Sequence, residues 1–410
     1  MLKLSLLILL CPFLSYSNDA EPKFYYADGL KPWGVTVIGP EKSDLTLRLG
    51  TRLQTVTSFR QSKNSVTNDD ESFSDSYIRR ARLQVEAKYK EGIKFYMDIR
   101  NDNANLQDSG ESDFNIGDAY IEKKDIFDIK NLRLRAFRAK VNVSRTQTVS
   151  SSNLIFLDRA SIADQAAQFV SHNRRASNIQ LLGAWDHIYF QAVVGDGVQK
   201  ASFNDAKGNS LSSGAIDAQN FMIGGKVRVY PFKGWEDKDL VETYFGHGQH
   251  FSFAAGLFNT SSIEYRNSSK TQVDEVSREL INLELSFHYE NFSIVSEFFR
   301  FNGVIEDFSA NAKNVGSSDG YYIQSEYVFK NLSYLAPFVR YEKWDRFKQL
   351  SDYDFESYVA GLNWYTKGNK IRFGLVYQYD KSDSNLVSVD SRGRRLIDDQ
   401  QFKLTSMWHY

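Results

Sequence analysis

A two-residue rhythm constrains this chain more than any other feature. From about residue 45 the sequence falls into segments of roughly ten residues in which apolar and polar side chains alternate. "LTLRLGTRLQTV" sets Leu45, Leu47, Leu49 and Leu53 on one face and Arg48, Gly50, Arg52 and Gln54 on the other. "YIRRARLQVEAKYK" sets Ala81, Leu83, Val85 and Ala87 against Arg80, Arg82, Gln84 and Glu86, and "IKFYMDIR" repeats the pattern. Period two belongs to a β-strand, whose successive side chains point to opposite faces. No helix-period domain separates the segments, which excludes a parallel α/β architecture.

The connections carry a second rhythm. Tight turns such as "EG" at Glu91-Gly92, Asp186-His187 and Glu290-Asn291 alternate with long polar stretches such as "SKNSVTNDDESFSDS" and "NDNANLQDSGESD". About 16 segments can be counted, an even number that leaves both chain ends on one side. Each is close to the roughly 9–11 residues that a tilted strand needs to cross a bilayer. Backbone polar groups in hydrocarbon must all be paired, so a spanning sheet has to close on itself. These observations predict an all-β chain: a transmembrane antiparallel β-barrel of about 16 strands with short turns at one end and long loops at the other. Aromatic residues at segment ends, namely Tyr89, Tyr289, Trp344, Trp364, Tyr365, Trp408 and Tyr410, are expected in the interfacial girdles.

The first residues differ in kind. "MLKLSLLILLCPFLSYSNDA" has a basic Lys3, an apolar run and small residues Ser15 and Ser17, so residues 1–17 read as a signal peptide cleaved after Ser17. Residues 18–43 then form an N-terminal periplasmic segment and 44–410 the barrel. The single cysteine, Cys11, lies within the leader, which leaves no disulfide scaffold, thiolate metal site or thiol nucleophile. No cofactor or metal is expected. The six histidines are scattered, and no Gly-x-Ser-x-Gly or paired-carboxylate motif stands beside them, so the chain is not read as an enzyme.

If the aliphatic face meets lipid, the opposite face meets water. On it lie Arg48, Arg52, Arg80, Arg82, Arg133, Arg135, Lys226 and Arg228, the candidate pore-lining, anion-binding set. Positive stripes favour anions, and the planar guanidinium fork suits phosphate or carboxylate. The same face carries Glu86, Asp98, Asp118, Glu122 and Glu284, so a second reading makes these charges ion-paired wall scaffold.

One connection is too apolar for a solvated loop: "VNVSRTQTVSSSNLIFLDRASIADQAAQFVSHNRR". Residues 142–175 are expected to fold into the lumen and constrict it. Arg145, Arg159, Arg174 and Arg175 would face the passage, Asp158 would pair with Arg159, and "SIADQAAQFV" would be a short helix capped by Ser161. The alternative is a plug without selectivity. The closing segment, "QFKLTSMWHY", puts Phe402, Leu404, Trp408 and Tyr410 on the lipid face, with Ser406 a candidate subunit contact.

These residues resemble the phosphate-selective porin family (porins O and P) of Gram-negative outer membranes. The resemblance runs through "YIRRARLQVEAKY", "DAYIEKK", "SSSNLIFLDRAS", "PFVRYEKWD" and "AGLNWYTKGNKIRFGLVYQYD". It implies a 16-stranded homotrimer in the outer membrane whose third loop constricts a water-filled channel. Arg80, Arg82 and Arg159 fall inside matching motifs, whereas no lysine block corresponds to the family's lysine cluster. The implied function is passive diffusion of small hydrophilic solutes with a preference for anions, phosphate among them. A general non-selective porin and a structural barrel with a plugged lumen are the alternatives. The expected partners are outer-membrane lipid, small anions or other hydrophilic solutes, and the barrel-assembly machinery, which would read the aromatic C-terminus; no nucleic-acid partner is expected.

Overall fold

The computed structural model describes residues 35–38, 44–64, 69–104, 114–171, 175–197, 204–208, 216–234, 241–266, 273–308, 314–366, 370–383, 388–389 and 395–409. The leader and Tyr410 lie outside the described residues. Nineteen strand segments join one sheet, and three are short pieces at 35–38, 216–219 and 388–389. The remaining sixteen are the staves of the barrel. They are β1 (Leu45–Asn64), β2 (Asp70–Tyr89), β3 (Ile93–Ala104), β4 (Asn115–Lys124), β5 (Leu132–Arg138), β6 (Ser177–Ala184), β7 (Ile188–Gly195) and β8 (Met222–Val229). The second half comprises β9 (Gln249–Arg266), β10 (Val273–Tyr289), β11 (Phe292–Ile305), β12 (Val315–Tyr327), β13 (Leu335–Asp345), β14 (Asp354–Tyr365), β15 (Ile371–Ser382) and β16 (Arg395–His409). Each pairs antiparallel with its sequence neighbours. The ring closes where β16 lies against β1, with His409 opposite Arg52 and Phe402 opposite Phe59. No helix of the described residues is long and apolar enough to cross a membrane.

The expected faces are seen. Leu49, Leu53, Leu83, Phe95, Leu134, Leu257, Val339, Leu404 and Trp408 are exposed, while their alternates Arg52, Gln54, Gln84, Glu86, Met407 and His409 are buried inside. An exposed apolar band of this extent is stable only against lipid. Two expected girdle residues are the exception, since Tyr365 and Trp344 are buried in the lumen. Trp364 and Tyr365 are adjacent, and a strand cannot send both to one face. Trp364 bonds the exposed Ser333 carbonyl at 3.1 Å, and Tyr365 points inward to Glu326.

The lumen is furnished by residues 139–171 and 175–176, between β5 and β6. They contain a short turn of helix α1 (Arg145–Thr148) and the ten-residue α2 (Ser161–Val170). Ala163, Ala166 and Ala167 are strong helix formers, and together with Ile162, Phe169 and Val170 they make one buried face. That face packs on β9 to β13. Burying Ile162, Phe169 and Val170 contributes about 1.5–3 kcal/mol each. Ser161 is not the cap: Ala160 holds that position, and no side chain of the segment itself caps the helix. The carboxylate of Glu342, reaching in from β13, accepts the backbone N–H groups of Ser161 at 2.9 Å and Ile162 at 2.6 Å. A carboxylate at a helix N-terminus is favoured by the orphan donors and by the helix dipole.

The alternation of short and long connections also has an exception. The connection between β8 and β9, at the end of the tight turns, is long, and its Val241, Glu242, Thr243, Tyr244 and Phe245 are buried in the lumen.

Candidate functional site

The candidate site is the lumen, and its two sides differ. Along β8 to β15 inward side chains are sealed against the inserted segment. Lys226 and Arg228 of β8 have fully buried side chains, and both pair with Glu284 of β10 at 2.7 and 3.0 Å. Arg145 of α1 approaches the same carboxylate at 3.5 Å. These three cations therefore do not face open space. Arg340 donates to the Asp158 carbonyl at 2.8 Å, Arg372 to the Leu154 carbonyl, and Asn363 to the Ile155 carbonyl at 2.8 Å. Arg340 and Arg372 are fasteners for the inserted segment, because each satisfies a carbonyl that no strand or helix pairs.

The connection at the other end completes this packing. The Asn153 carbonyl accepts the N–H groups of Glu242 at 3.1 Å and Thr243 at 3.2 Å, and the Ile155 N–H donates to the Glu242 carboxylate at 3.2 Å. Two segments, one from each end of the barrel, thus meet inside it. Burial pushes the Glu242 carboxyl above its ordinary range, partly offset by hydrogen bonds from Thr146 and the Ile155 N–H.

Along β1 to β5 Arg52, Arg80, Glu86, Asp98 and Glu122 are buried, but several cations keep access to water. Arg48 is 24% exposed and Arg133 27%. Here carboxylates are shared. Glu86 pairs with both Arg48 at 3.5 Å and Lys88 at 2.9 Å. Glu122 serves Lys94 at 3.3 Å, Arg133 at 3.9 Å and Arg135. Arg82 pairs with Asp102 at 2.9 Å, Arg100 with Asp98, and Arg175 with Asp118 at 2.8 Å. Arg52 has no carboxylate partner among the described residues; it donates to the hydroxyls of Ser151 at 2.7 Å and Ser150 at 2.9 Å. One acid serving two or three cations leaves this wall with a positive surplus.

Asp158 sits where the inserted segment meets this wall. It does not pair with Arg159, whose guanidinium turns back to the carbonyls of Thr146 at 2.6 Å and Val149 at 3.0 Å. Its partners are Arg79 at 3.1 Å and Lys403 at 3.0 Å. Burial opposes its charge, but Lys403, Arg79 and Arg80 outweigh that and hold the carboxyl below the usual carboxylate range. The part played by Arg79 is a product of register. Gln54 lies opposite Arg80 and Thr55 opposite Ile78, so Arg79 is a bulged extra residue. Strict alternation sends Arg79 to lipid; the bulge turns it inward beside Arg80. Arg80 itself donates to Gln54 at 2.6 Å and to the Leu157 carbonyl at 3.3 Å. The adjacent double arginine was the one available signal in the sequence. Arg174 lies outside the described residues.

Above the inserted segment lies a cavity of about 490 Å³. It is bounded by Arg79 and Arg80 of β2, by α2, and by Phe301 of β11 and Trp344 of β13, so it spans the lumen rather than creasing one wall. Its lining holds four guanidiniums (Arg79, Arg80, Arg159 and Arg346) and three carboxylates (Asp158, Asp164 and Asp205).

The chain matches the family described as phosphate-selective porin O and P over residues 50–399. The protein belongs to this porin family. No curated protein matches it by sequence. Among solved structures, an anion-selective porin from Comamonas acidovorans superposes with a TM-score of 0.59 at 11% identity, covering 89% of this chain and 100% of that one. The outer-membrane channel DcaP of Acinetobacter baumannii gives 0.58 at 10% identity, covering 92% and 100%. OmpT of Vibrio cholerae, in its trimer form, gives 0.52 at 11% identity, covering 89% and 99%. Likeness at this identity establishes the shared barrel fold. Family and fold together make this porin an outer-membrane channel.

Proposed function

We propose that this porin is an anion-preferring diffusion channel whose aqueous passage runs along the β1 to β5 wall, past Arg48, Arg82, Arg133 and Arg135, with residues 142–175 as the constriction. The observation that carries the reading is the sharing of Glu86 and Glu122 among five cations, all with solvent access. A field of one sign lining a water-filled passage raises the local concentration of the opposite ion. Lys226, Arg228 and Arg145 act as scaffold for the inserted segment, Arg159 braces it internally through the carbonyls of Thr146 and Val149, and Arg175 holds its end at Asp118. Phosphate is one candidate solute, supported by the family's description and by the guanidinium-rich wall. The anion-selective relative from Comamonas supports the sign of the preference.

The same reading takes residues 1–17 as a removed signal peptide and Phe402, Leu404, Trp408 and Tyr410 as the strand recognised during barrel assembly. It takes the working form as a homotrimer, on the strength of the trimeric Vibrio relative. The deciding measurement is the reversal potential of single channels in a planar bilayer under a potassium chloride gradient. Chloride preference is expected. Potassium preference would overturn the proposal, and an absence of conductance would favour a plugged structural barrel.

A further inference from the structure

The cavity above the inserted segment is chemically two-sided in a way that simple inorganic anions do not need. One side is apolar: Phe169 of α2 packs edge-on to Phe301 of β11 at 5.2 Å, and Phe301 neighbours Trp344 of β13 at 6.3 Å. Register makes this wall. Asn302 lies opposite Ser317 and Val304 opposite Gly316, so Gly303 is an extra residue, held at a φ of +82° where a Cβ would strike the Ser277 carbonyl. Phe301 and Val304 therefore both line the cavity.

Arg346 stands on this apolar wall. Its guanidinium stacks on Trp344 at 4.4 Å, makes no ion pair among the described residues, and has a buried Nε without a hydrogen-bond partner. Burial brings its pKa down to about 10, with Glu342 and Asp205 opposing, so it remains charged at neutral pH. A guanidinium without an ion pair, stacked on Trp344 at the end of an apolar wall that continues through Phe301 to Phe169, is an invitation to a carboxylate attached to a flat apolar body. The volume of about 490 Å³ suits a small organic molecule.

We propose that this cavity is a binding site for aromatic carboxylates, the ring lying against Phe169, Phe301 and Trp344 and the carboxylate accepting from Arg346. The inference rests on the anion-preferring reading above and adds to it a solute class held in the outer vestibule. Occupancy of a cavity that spans the lumen obstructs the passage, so binding reads out as interruption of the ionic current.

Benzoate serves as the probe, added to the outer side of single full-length channels carrying chloride, with acetate and hexanoate at matched concentrations. Benzoate is expected to interrupt the current at concentrations at which acetate and hexanoate do not. Arg346→Gln should weaken the block about tenfold, the loss expected for one charge-assisted hydrogen bond in a partly buried site. Phe301→Leu should weaken it while leaving the fold, checked by heat-modifiable gel mobility, intact. Equal block by benzoate and acetate would overturn the inference, as would hexanoate matching benzoate or an Arg346→Gln channel blocked as strongly as the wild type. The chloride-to-potassium ratio is measured on the same channels. A potassium-selective wild type fails the underlying reading, whereas a chloride-selective channel blind to the ring fails this inference alone.

Discussion

Asp158→Asn isolates the electrostatic argument. The carboxylate stands 3.1 Å from Arg79 and 3.0 Å from Lys403, at the meeting of the inserted segment and the open wall. Asparagine has nearly the same shape and still accepts a hydrogen bond, so the substitution removes one negative charge and little else. For an ion passing ~8 Å away, that charge is worth about 0.5–2 kcal/mol between effective dielectric constants of about 80 and 20, before screening. Physiological salt screens over a similar length, so the lower figure is the safer one. About 0.5 kcal/mol corresponds to roughly a twofold gain for an anion and a twofold loss for a cation. The chloride-to-potassium permeability ratio should therefore rise about fourfold, read from the reversal potential across a salt gradient at moderate ionic strength. The effect should shrink as salt is raised. Asp158→Glu, which keeps the charge, should stay near the wild type. An unchanged ratio in Asp158→Asn, or a shift toward potassium, would refute the idea that Asp158 stands beside the permeation path.

Other consequences follow from the same structure. Burial raises the Glu242 pKa although the Ile155 N–H favours the carboxylate, so the packing around Glu242 is most stable below the ordinary glutamate pKa and loses stability as pH rises through the higher folded value and a charge is buried there. Single-channel noise from movement of the inserted segment should grow over that rise, and Glu242→Gln should abolish the trend; an identical pH profile in the variant would count against it. Glu284→Gln leaves Lys226, Arg228 and Arg145 without their shared carboxylate and should destabilise the barrel by about 3–5 kcal/mol in detergent unfolding, because buried charge without a partner is costly. A loss under about 1 kcal/mol would mean water reaches that cluster. Leu404→Arg puts a charge on the lipid face of β16 and should cost about 2–4 kcal/mol if it lies near the bilayer midplane. A neutral result in a folding titration into lipid vesicles would place Leu404 near an interface or at a subunit contact.

What the sequence determined by itself is whatever depends on neighbours along the chain. Alternation is local, so the barrel, its strand number, the outward set from Leu49 to Trp408 and the inward set from Arg52 to His409 were all legible. Residues 142–175 could be set apart from the other loops because Leu154, Ile155, Phe156 and Leu157 are too apolar for solvent. What only the tertiary structure decided is which inward charges see water. Lys226 and Arg48 read alike in sequence, yet one is sealed against Glu284 and the other is open beside Glu86. The difference arises because the inserted segment, through Val143, Arg145 and α2, covers β8 to β13 and leaves Arg48 and Arg133 on the opposite wall open, an asymmetry built from contacts far apart in the chain. The bulge at Gly303 was likewise invisible and the one at Arg79 was signalled only by the adjacent double arginine, since one extra residue in a strand changes no composition but reverses a face. The cap on α2 and the inward packing of Glu242 and Thr243 follow the same logic: each is completed by a group across the lumen, Glu342 for the helix and Asn153 for the connection. Period-two patterning fixes which way a side chain points, and only closure of the barrel fixes what it meets there.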